Sequence, residues 1–277
     1  MSYNIMRNPA KIPNKKWLFN GFHEFNSKNF NLLYQNKIPC VLIRNFLSED
    51  KCDTIIKAAK EQGLDYYEGT YPRVGRIGAT QYEHSFKSKF PYFLQAFIET
   101  QKRNNIVKSC GFDPLGLIFE LFKNQEMQIK IMTEREYCDY YVGLFRFFDP
   151  GAFAYIHFDY APYDGKGWAI EKINQQISFN LYLKLPKTGG ELVVYNKQWE
   201  KEKYNKYRLH ESIASYGYSE EMVKDVEYME YAPRKGDLLF FNSRNFHEVR
   251  KGDDFRLSMS SFIGRKDDDE KELYMWN

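Results

Sequence analysis

The sequence predicts a mainly-β fold with N-terminal helices, in which the second half of the chain forms a double-stranded β-helix, a cupin-like jelly roll. Eight short extended runs follow one another between residues 139 and 264, and turn sequences such as DPG, PKTGG, PRKG and KGDD separate most of them. Aromatic residues make up 18% of the chain, which suits a roomy barrel interior as well as an ordinary core. Eight antiparallel strands in a row favour a double-sheet jelly roll.

The first 138 residues are predicted to form a helical support with a lid loop. Residues 1–36 are polar and aromatic and predict an irregular wrap or a short strand, whereas the β-branched run 38–46 predicts a buried strand. Ser48 is a good N-cap, and the helix that it starts is expected to end at Gly63.

Two further features complete this half. Residues 64–84 carry three Gly and one Pro without periodicity, which predicts a long loop of the kind that serves as a functional lid or binding loop. Helices are predicted from about residue 88 and over 114–125.

The eight predicted strands are YYVGLFRFF, FAYIHFDY, QISFNLYLKL, GELVVYN, VEYMEYA, DLLFFN, FHEVR and FRLSMSSFIG. A long polar insert, 197–225, separates the fourth from the fifth. The acidic run at 267–272 predicts a solvated segment within a C-terminal tail, 265–277. Because there is no internal repeat and no Pro/Ser-rich linker, the sequence predicts one domain over 1–277, with the catalytic core at 139–264.

Charge and cysteine usage narrow the functional classes. The net charge is +3, from 40 basic and 37 acidic residues that are scattered along the chain, and this predicts neither a nucleic-acid nor a membrane partner. The four cysteines include no C-x-x-C pair, which favours reduced thiols in a cytoplasmic protein. No N-terminal apolar segment predicts secretion. The oligomeric state stays open between monomer and homodimer.

Four polar residues stand in the predicted strands at positions that suit a metal site. Alternation along a strand places His157 and Asp159 on one face, two residues apart. His247 opens the seventh predicted strand, which is expected to lie across the barrel mouth from the second. Two imidazoles and one carboxylate form the facial triad of non-haem Fe(II) oxygenases. Arg256, shortly downstream, suits a two-pronged salt bridge to an acidic co-substrate.

Residues 139–264 resemble the catalytic core of the Fe(II)/2-oxoglutarate-dependent oxygenases. The phrases QISFNLYL and GGELVVYNKQW resemble the third and fourth core strands of that superfamily. The wider pattern from HFDYAPYDGKGWAI onward is similar to the small-molecule branch that includes free-amino-acid hydroxylases and radical halogenases. The resemblance implies that His157, Asp159 and His247 hold Fe(II) and that Arg256, assisted by Ser258, binds the distal carboxylate of 2-oxoglutarate.

The same resemblance implies the reaction. In the halogenases of this branch a small residue replaces the carboxylate ligand, so that chloride takes its coordination position. Asp159 keeps the carboxylate, which implies hydroxylation rather than chlorination. We therefore expect O2 and 2-oxoglutarate to be consumed, succinate and CO2 to be released, and an aliphatic carbon of a small polar metabolite, such as a free amino acid, to be hydroxylated.

Further candidate residues carry weaker signals. Asn180 and Trp199 are candidates for the 2-oxoglutarate pocket, with a satisfied strand polar group and a packing Trp as the alternatives. The candidates for substrate contact are Arg76, Tyr160, Asp164 and Trp168. Arg76 lies in the Gly-rich loop, where a solvated charge is the alternative, and Asp164 also suits a plain turn.

Two other functions remain open from the sequence. The same chemistry serves hydroxylases of protein or carrier-bound side chains, although the long loop and the insert favour an enclosed small substrate. A non-enzymatic jelly-roll binding module is the third possibility, in which case the His, Asp and Arg spacing is a coincidence.

Overall fold

The computed structural model describes residues 16–67, 73–85, 87–210, 216–266 and 272–277. The helices are α1 (Ser27–Tyr34), α2 (Glu49–Glu61), α3 (Phe90–Cys110), α4 (Pro114–Lys123) and α5 (Ala161–Asp164). Short 3-10 helices lie at Gln81–His84, Ala169–Lys172, Asn205–Tyr207 and Glu220–Val223. The strands are β1 (Phe22–His23), β2 (Cys40–Ile43), β3 (Asp65–Tyr66), β4 (Val74–Ile77), β5 (Gln128–Ile131), β6 (Leu144–Phe148), β7 (Ala154–His157), β8 (Gln175–Lys184), β9 (Leu192–Gln198), β10 (Tyr228–Tyr231), β11 (Leu238–Phe241), β12 (Asn245–Val249), β13 (Arg256–Arg265) and β14 (Glu272–Trp276).

The strands form two sheets, as a jelly roll requires. The larger sheet has the order β1-β2-β11-β8-β13-β6-β4-β3, with β14 paired to β13 and β5 paired to β14, and the smaller has the order β10-β9-β12-β7. All eight strands predicted between 139 and 264 are present, from β6 to β13. The first, third, sixth and eighth lie in the larger sheet and the others in the smaller one, so the prediction of a double-stranded β-helix is confirmed.

The larger sheet has two chemically different faces because its side chains alternate. Phe145 and Phe147 of β6 point outward into a core that they share with α1, α2 and α4. Burial of each such ring contributes about 1.5–3 kcal/mol to stability. Arg146 and Phe148 point the other way, toward the smaller sheet. The helices therefore cover one face of the sheet and leave the other face free to line an interior cavity.

Two segments differ from the sequence prediction. Residues 64–84 were predicted as a loop, but Val74–Ile77 forms β4 and pairs with β6. All four residues of β4 are buried, so the polar/apolar alternation that reveals a half-exposed strand is missing. For residues 1–36 an irregular wrap or a short strand was predicted; residues 1–15 lie outside the described residues, and the short strand is present as β1. Ser27–Tyr34 is instead a helix, and the side chain of Asn26 caps it by accepting from Asn29 N at 2.8 Å.

The C-terminal region also differs from a solvated tail. Glu272–Trp276 forms β14, which pairs with β13 and β5. Trp276 is buried, and its ring packs against Phe262. Residues 267–271, which make up most of the predicted acidic run, lie outside the described residues. The division of the chain into support, core and tail stays a prediction.

The four cysteines are free thiols: Cys40 and Cys52 are buried, Cys110 is half-buried and Cys138 is exposed. Burial raises the pKa of the Cys52 thiol to about 11. Within the described part of the chain, no helix has the length and apolar character that a membrane crossing needs.

Asp237 is a fully buried carboxylate that ties the larger sheet to the preceding turn. It accepts hydrogen bonds from Arg44 at 2.6 Å, from Tyr231 at 2.5 Å and from two backbone amides. Replacing Asp237 by Ala leaves these donors without their charged acceptor, and we expect a loss of about 3 kcal/mol in the free energy of unfolding, measured by chemical denaturation. The control is Asp53→Ala, which removes an exposed partner of Lys235 and is expected to cost less than about 1 kcal/mol. Equal costs would contradict this role for Asp237.

Candidate metal centre

Two histidines meet on neighbouring strands of the smaller sheet. His157 ends β7 and stands directly opposite His247 of β12 in the antiparallel register. Their ring centroids are 4.2 Å apart. The expectation that the seventh core strand lies across the barrel mouth from the second was wrong, because the two strands are hydrogen-bonded neighbours. The pair is therefore held by backbone pairing as well as by side-chain packing.

Backbone carbonyls orient both imidazole rings. The Nδ1 atom of His157 lies 2.7 Å from the carbonyl of Tyr155, and that of His247 lies 2.9 Å from the carbonyl of Asn245. Since a carbonyl only accepts, each Nδ1 carries the proton and each Nε2 is left with a free lone pair for a metal. Burial, and next the electrostatic interaction with the neighbouring His247 ring, lower the pKa of His157 to about 4, so the His157 ring is neutral at physiological pH.

Asp159 completes the triad just beyond the end of β7. Its backbone amide donates to Ser243 O at 2.9 Å, and its carbonyl accepts from Gln176 Nε2 at 3.1 Å. Its Oδ2 lies 3.3 Å from His247 Nε2. Although burial acts to raise the pKa of Asp159, its contacts with the two histidines hold that pKa below the ordinary value. One ligand atom from each of the three residues lies within 4.8 Å of the others, a donor set that fits Fe(II).

The triad opens into a cavity of about 460 Å³ between the two sheets. The wall contains both polar groups and aromatic rings. Its residues are Tyr67, Val74, Tyr82, Glu83, Arg146, Phe148, Ala154, His157, Phe158, Asp159, Tyr163, Asp164, Ser178, Asn180, Leu192, Arg208, Tyr216, Gly217, Tyr218, Phe241, His247, Val249, Arg256, Ser258, Ser260, Phe262 and Asn277. This volume falls in the range of small-ligand sites.

The predicted co-substrate residues Arg256, Ser258 and Asn180 line this cavity. Arg256 is buried, its guanidinium lies 5.0 Å from the ring centroid of Phe148, and its Nε has no hydrogen-bond partner among the described residues. Burial lowers the pKa of Arg256. A buried cation with an unpaired donor needs an anion, and the distal carboxylate of 2-oxoglutarate fits this need.

Trp199, also predicted for the co-substrate pocket, is not among the described residues of the cavity wall. Its ring stacks on Phe158 with centroids 4.7 Å apart and contacts Tyr163 at 4.6 Å. Trp199 thus supports two residues that do line the cavity. It ends up behind them because it lies just past the end of β9, on the outer side of Phe158.

Three of the four predicted substrate residues also lie off the main cavity wall. Tyr160 packs under the guanidinium of Arg244. Trp168 is buried in an aromatic cluster with Tyr92, which forms around the start of α3. Arg76 is ion-paired with Glu83 and lies over the ring of Tyr67. Packing partners that the sequence does not reveal hold Tyr160 and Trp168 away from the cavity wall, whereas Arg76 is held behind two residues of that wall, Glu83 and Tyr67.

Asp164, the fourth, does line the cavity. Burial, and next the nearby charge of Asp159, raise the pKa of Asp164 to about 7. Between the ordinary value of 3.8 and this value the folded metal-free protein binds more protons than the unfolded chain, so its stability falls as pH rises through that window.

Replacing Asp164 by Asn removes this penalty. We therefore expect the melting temperature of the variant, relative to that of the wild type, to be higher at about pH 7 than at about pH 4. The measurement is thermal unfolding in the presence of a chelator. Asp50→Asn, at an exposed position in the first turn of α2, is the control. If the difference in melting temperature between Asp164→Asn and the wild type does not change with pH, the raised pKa of Asp164 is not its cause.

Several residues of the wall have no counterpart in the sequence prediction. Arg146 carries one detectable signal, since it is the single charge inside the apolar strand LFRFF. Tyr216 and Tyr218 come from the polar insert, where Tyr218 pairs with Ile156 of β7 and the Tyr216 ring lies 5.7 Å from His157. No local pattern marks these tyrosines, because only the folding of the insert over β7 brings them to the site.

Together the jelly roll, the two histidines with one carboxylate and the buried arginine define the class of protein. The chain is an Fe(II)/2-oxoglutarate-dependent oxygenase, which uses O2 and 2-oxoglutarate as co-substrates. Within that class it belongs to the family described as carrier-protein-independent halogenase WelO5, whose model matches residues 24–277.

Relatives and solved structures agree with this assignment. The chain is 36% identical to leucinostatins biosynthesis cluster protein S of Purpureocillium lilacinum over 209 residues, which are 72% of this chain and 83% of that protein. It is 34% identical to L-gamma-glutamyl-L-propargylglycine hydroxylase of Streptantibioticus cattleyicolor over 127 residues, 45% of this chain and 44% of that one. An N-substituted L-amino acid dioxygenase from Burkholderia ambifaria AMMD has the same fold, with a TM-score of 0.60 at 14% identity and 91% of each chain covered.

Proposed function

We propose that the protein hydroxylates an aliphatic carbon of a free amino acid or a close derivative, with 2-oxoglutarate as the second substrate. The observation that carries this proposal is the carboxylate of Asp159, which completes the triad with His157 and His247. Chlorination needs a coordination position for chloride, and a carboxylate ligand occupies that position. The family model carries the name of a halogenase, so the side chain at this one position argues for hydroxylation within that family.

The size and lining of the cavity support a small substrate. A volume of about 460 Å³ accommodates 2-oxoglutarate together with a metabolite the size of an amino acid. The names of two similar proteins, a hydroxylase of a propargylglycine dipeptide and a dioxygenase of N-substituted amino acids, agree with this class.

Each group of residues has a distinct part in the mechanism. His157, Asp159 and His247 would hold Fe(II) from one side, and Arg256 and Ser258 would fix the distal carboxylate of 2-oxoglutarate. When bound, the iron supplies the activation of O2 that side chains cannot provide. Aromatic rings line the cavity around the triad, among them Phe158 and Tyr216, and would limit the access of water to a bound substrate.

The test is aerobic incubation of the protein with Fe(II), 2-oxoglutarate, chloride and a panel of free L-amino acids and their N-acyl derivatives. Products are read by mass spectrometry, and succinate is measured alongside. We expect one panel compound to gain one oxygen atom, with one succinate formed for each product molecule and no chlorinated product. A chlorinated product would overturn the argument from Asp159. Oxygenation of a peptide or a carrier-bound residue, with none of any free compound, would favour the macromolecular substrate instead.

A further inference from the structure

A second arginine points into the cavity beside the metal centre. Arg146 lies at the middle of β6, with Phe145 and Phe147 on either side pointing into the outer core. Across the sheet it stands opposite Ser258 of β13 and opposite Arg76 of β4. The pleat therefore holds its side chain on the inner face, among the residues of the cavity wall.

The side chain of Arg146 is not fully satisfied within the protein. Its Nε is buried and has no hydrogen-bond partner among the described residues. The groups that interact with its charge are first Tyr67 and then Asp159 and Tyr82, and the same charge acts to lower the pKa of Tyr216. Asp159 is the single carboxylate in that set, and it is a ligand of the metal triad. Once Asp159 binds Fe(II), Arg146 keeps a cavity-facing charge that calls for an anion.

The other arginines near the cavity differ from Arg146 in how their charge is balanced. Arg76 is ion-paired with Glu83, and Arg208 lies at the exposed rim, where solvent screens its charge. Arg256 stands diagonally across from Arg146, because Arg256 is opposite Phe148 and Arg146 is opposite Ser258. Diagonal neighbours in a sheet lie about 7–8 Å apart, so the two guanidiniums can bind two separate anionic groups in one cavity. Their mutual repulsion disfavours an empty site and is relieved when both groups are bound.

We propose that Arg146 binds a carboxylate of the substrate, while Arg256 binds that of 2-oxoglutarate. The inference rests on the proposed function and adds to it that the carboxylate of the substrate must be free and that Arg146 is the residue which selects it. A planar guanidinium recognises a carboxylate by two parallel hydrogen bonds, and Tyr82 and Tyr216 line the same cavity with hydroxyl groups that can donate. A carboxamide has the same shape but no charge, so the site discriminates against it.

The experiment compares an acid with its amide. The amino acid found by the product assay and its primary amide are titrated by calorimetry, without oxygen, into protein loaded with Fe(II) and 2-oxoglutarate. The wild type is expected to bind the acid about a hundredfold more tightly than the amide. Arg146→Gln is expected to lose most of this preference by weakening the acid alone, and Arg146→Lys to fall between the two. Arg135→Gln, which removes an exposed charge, is the control and is expected to match the wild type.

The failures of the two proposals are distinguishable. If the wild type oxygenates no compound of the amino-acid panel, the proposed function fails and the inference fails with it. If it oxygenates an amino acid but binds the amide equally well, the role of Arg146 alone is overturned, and this comparison needs no variant. A raised KM for 2-oxoglutarate in Arg146→Lys, with the acid preference intact, would assign Arg146 to the co-substrate. Loss of the preference in Arg208→Gln instead of Arg146→Gln would move the site to the rim.

Discussion

Replacing His247 by Ala is expected to abolish oxygenation and to weaken Fe(II) binding by more than about a hundredfold. Removing a group that only orients a metal ligand commonly costs ten- to a hundredfold in affinity or activity, and the loss of a ligand itself exceeds this. His247 cannot be replaced by a neighbour, because among the described residues the triad is the one cluster of three potential ligands. Iron binding is measured by anaerobic titration, and turnover by succinate release.

His157→Ala is expected to behave in the same way, since the two rings face each other across β7 and β12. The matched control is His23→Ala, which removes an imidazole whose Nε2 lies 3.3 Å from a backbone carbonyl far along the chain from the triad. Iron binding and turnover should then equal those of the wild type. Full activity in both triad variants would show that these residues do not form the metal site.

Replacing Arg256 by Leu is expected to raise the KM for 2-oxoglutarate by about a hundredfold or more while iron still binds. Removing one partner of a buried, hydrogen-bonded charge pair costs about 2–5 kcal/mol, and each 1.4 kcal/mol is a factor of ten. In Arg256→Leu the distal carboxylate would lie beside Phe148 without the guanidinium that directly neutralises its charge. The measurement is succinate formation over a range of 2-oxoglutarate concentrations.

Arg256→Lys separates charge from shape. Lysine keeps the positive charge but not the two parallel donors, so its KM should lie between those of the wild type and the Leu variant. Arg250→Leu is the control, because this half-buried arginine is paired with Glu248 at 3.0 Å outside the cavity. An unchanged KM in Arg256→Leu, together with a raised KM in an Arg146 variant, would exchange the roles of the two cavity arginines.

Membership of a family named for halogenation makes Asp159 the residue of most interest for evolution of the reaction. The two chemistries share the iron, the co-substrate and the fold, and differ in what occupies one coordination position. A single side chain therefore has more influence on the reaction type than the overall similarity of the chains. The residues of the site, rather than the family name, therefore support the proposal of hydroxylation.

The eight core strands and the triad could be predicted because they leave local marks in the sequence. Alternation with a period of two places His157 and Asp159 on one side, and turn residues mark where each strand ends. β4 left no such mark, since it is buried on both faces, and neither did β14, whose apolar residues follow an acidic run. Local sequence patterns indicate which face of a strand is exposed to solvent, but they do not indicate which other strand it pairs with.

By itself, the sequence determined the fold class and predicted the metal triad and a co-substrate arginine, because these depend on side-chain chemistry at a fixed spacing along strands. Only the tertiary structure decided which side chains reach the cavity. It placed Arg76 against Glu83 and Trp168 in the core, and brought Arg146 and Tyr216 to the site instead. The physical reason is that substrate contacts join residues from distant strands and loops, and their meeting depends on the register of the sheets and the packing of the insert, which no local pattern encodes.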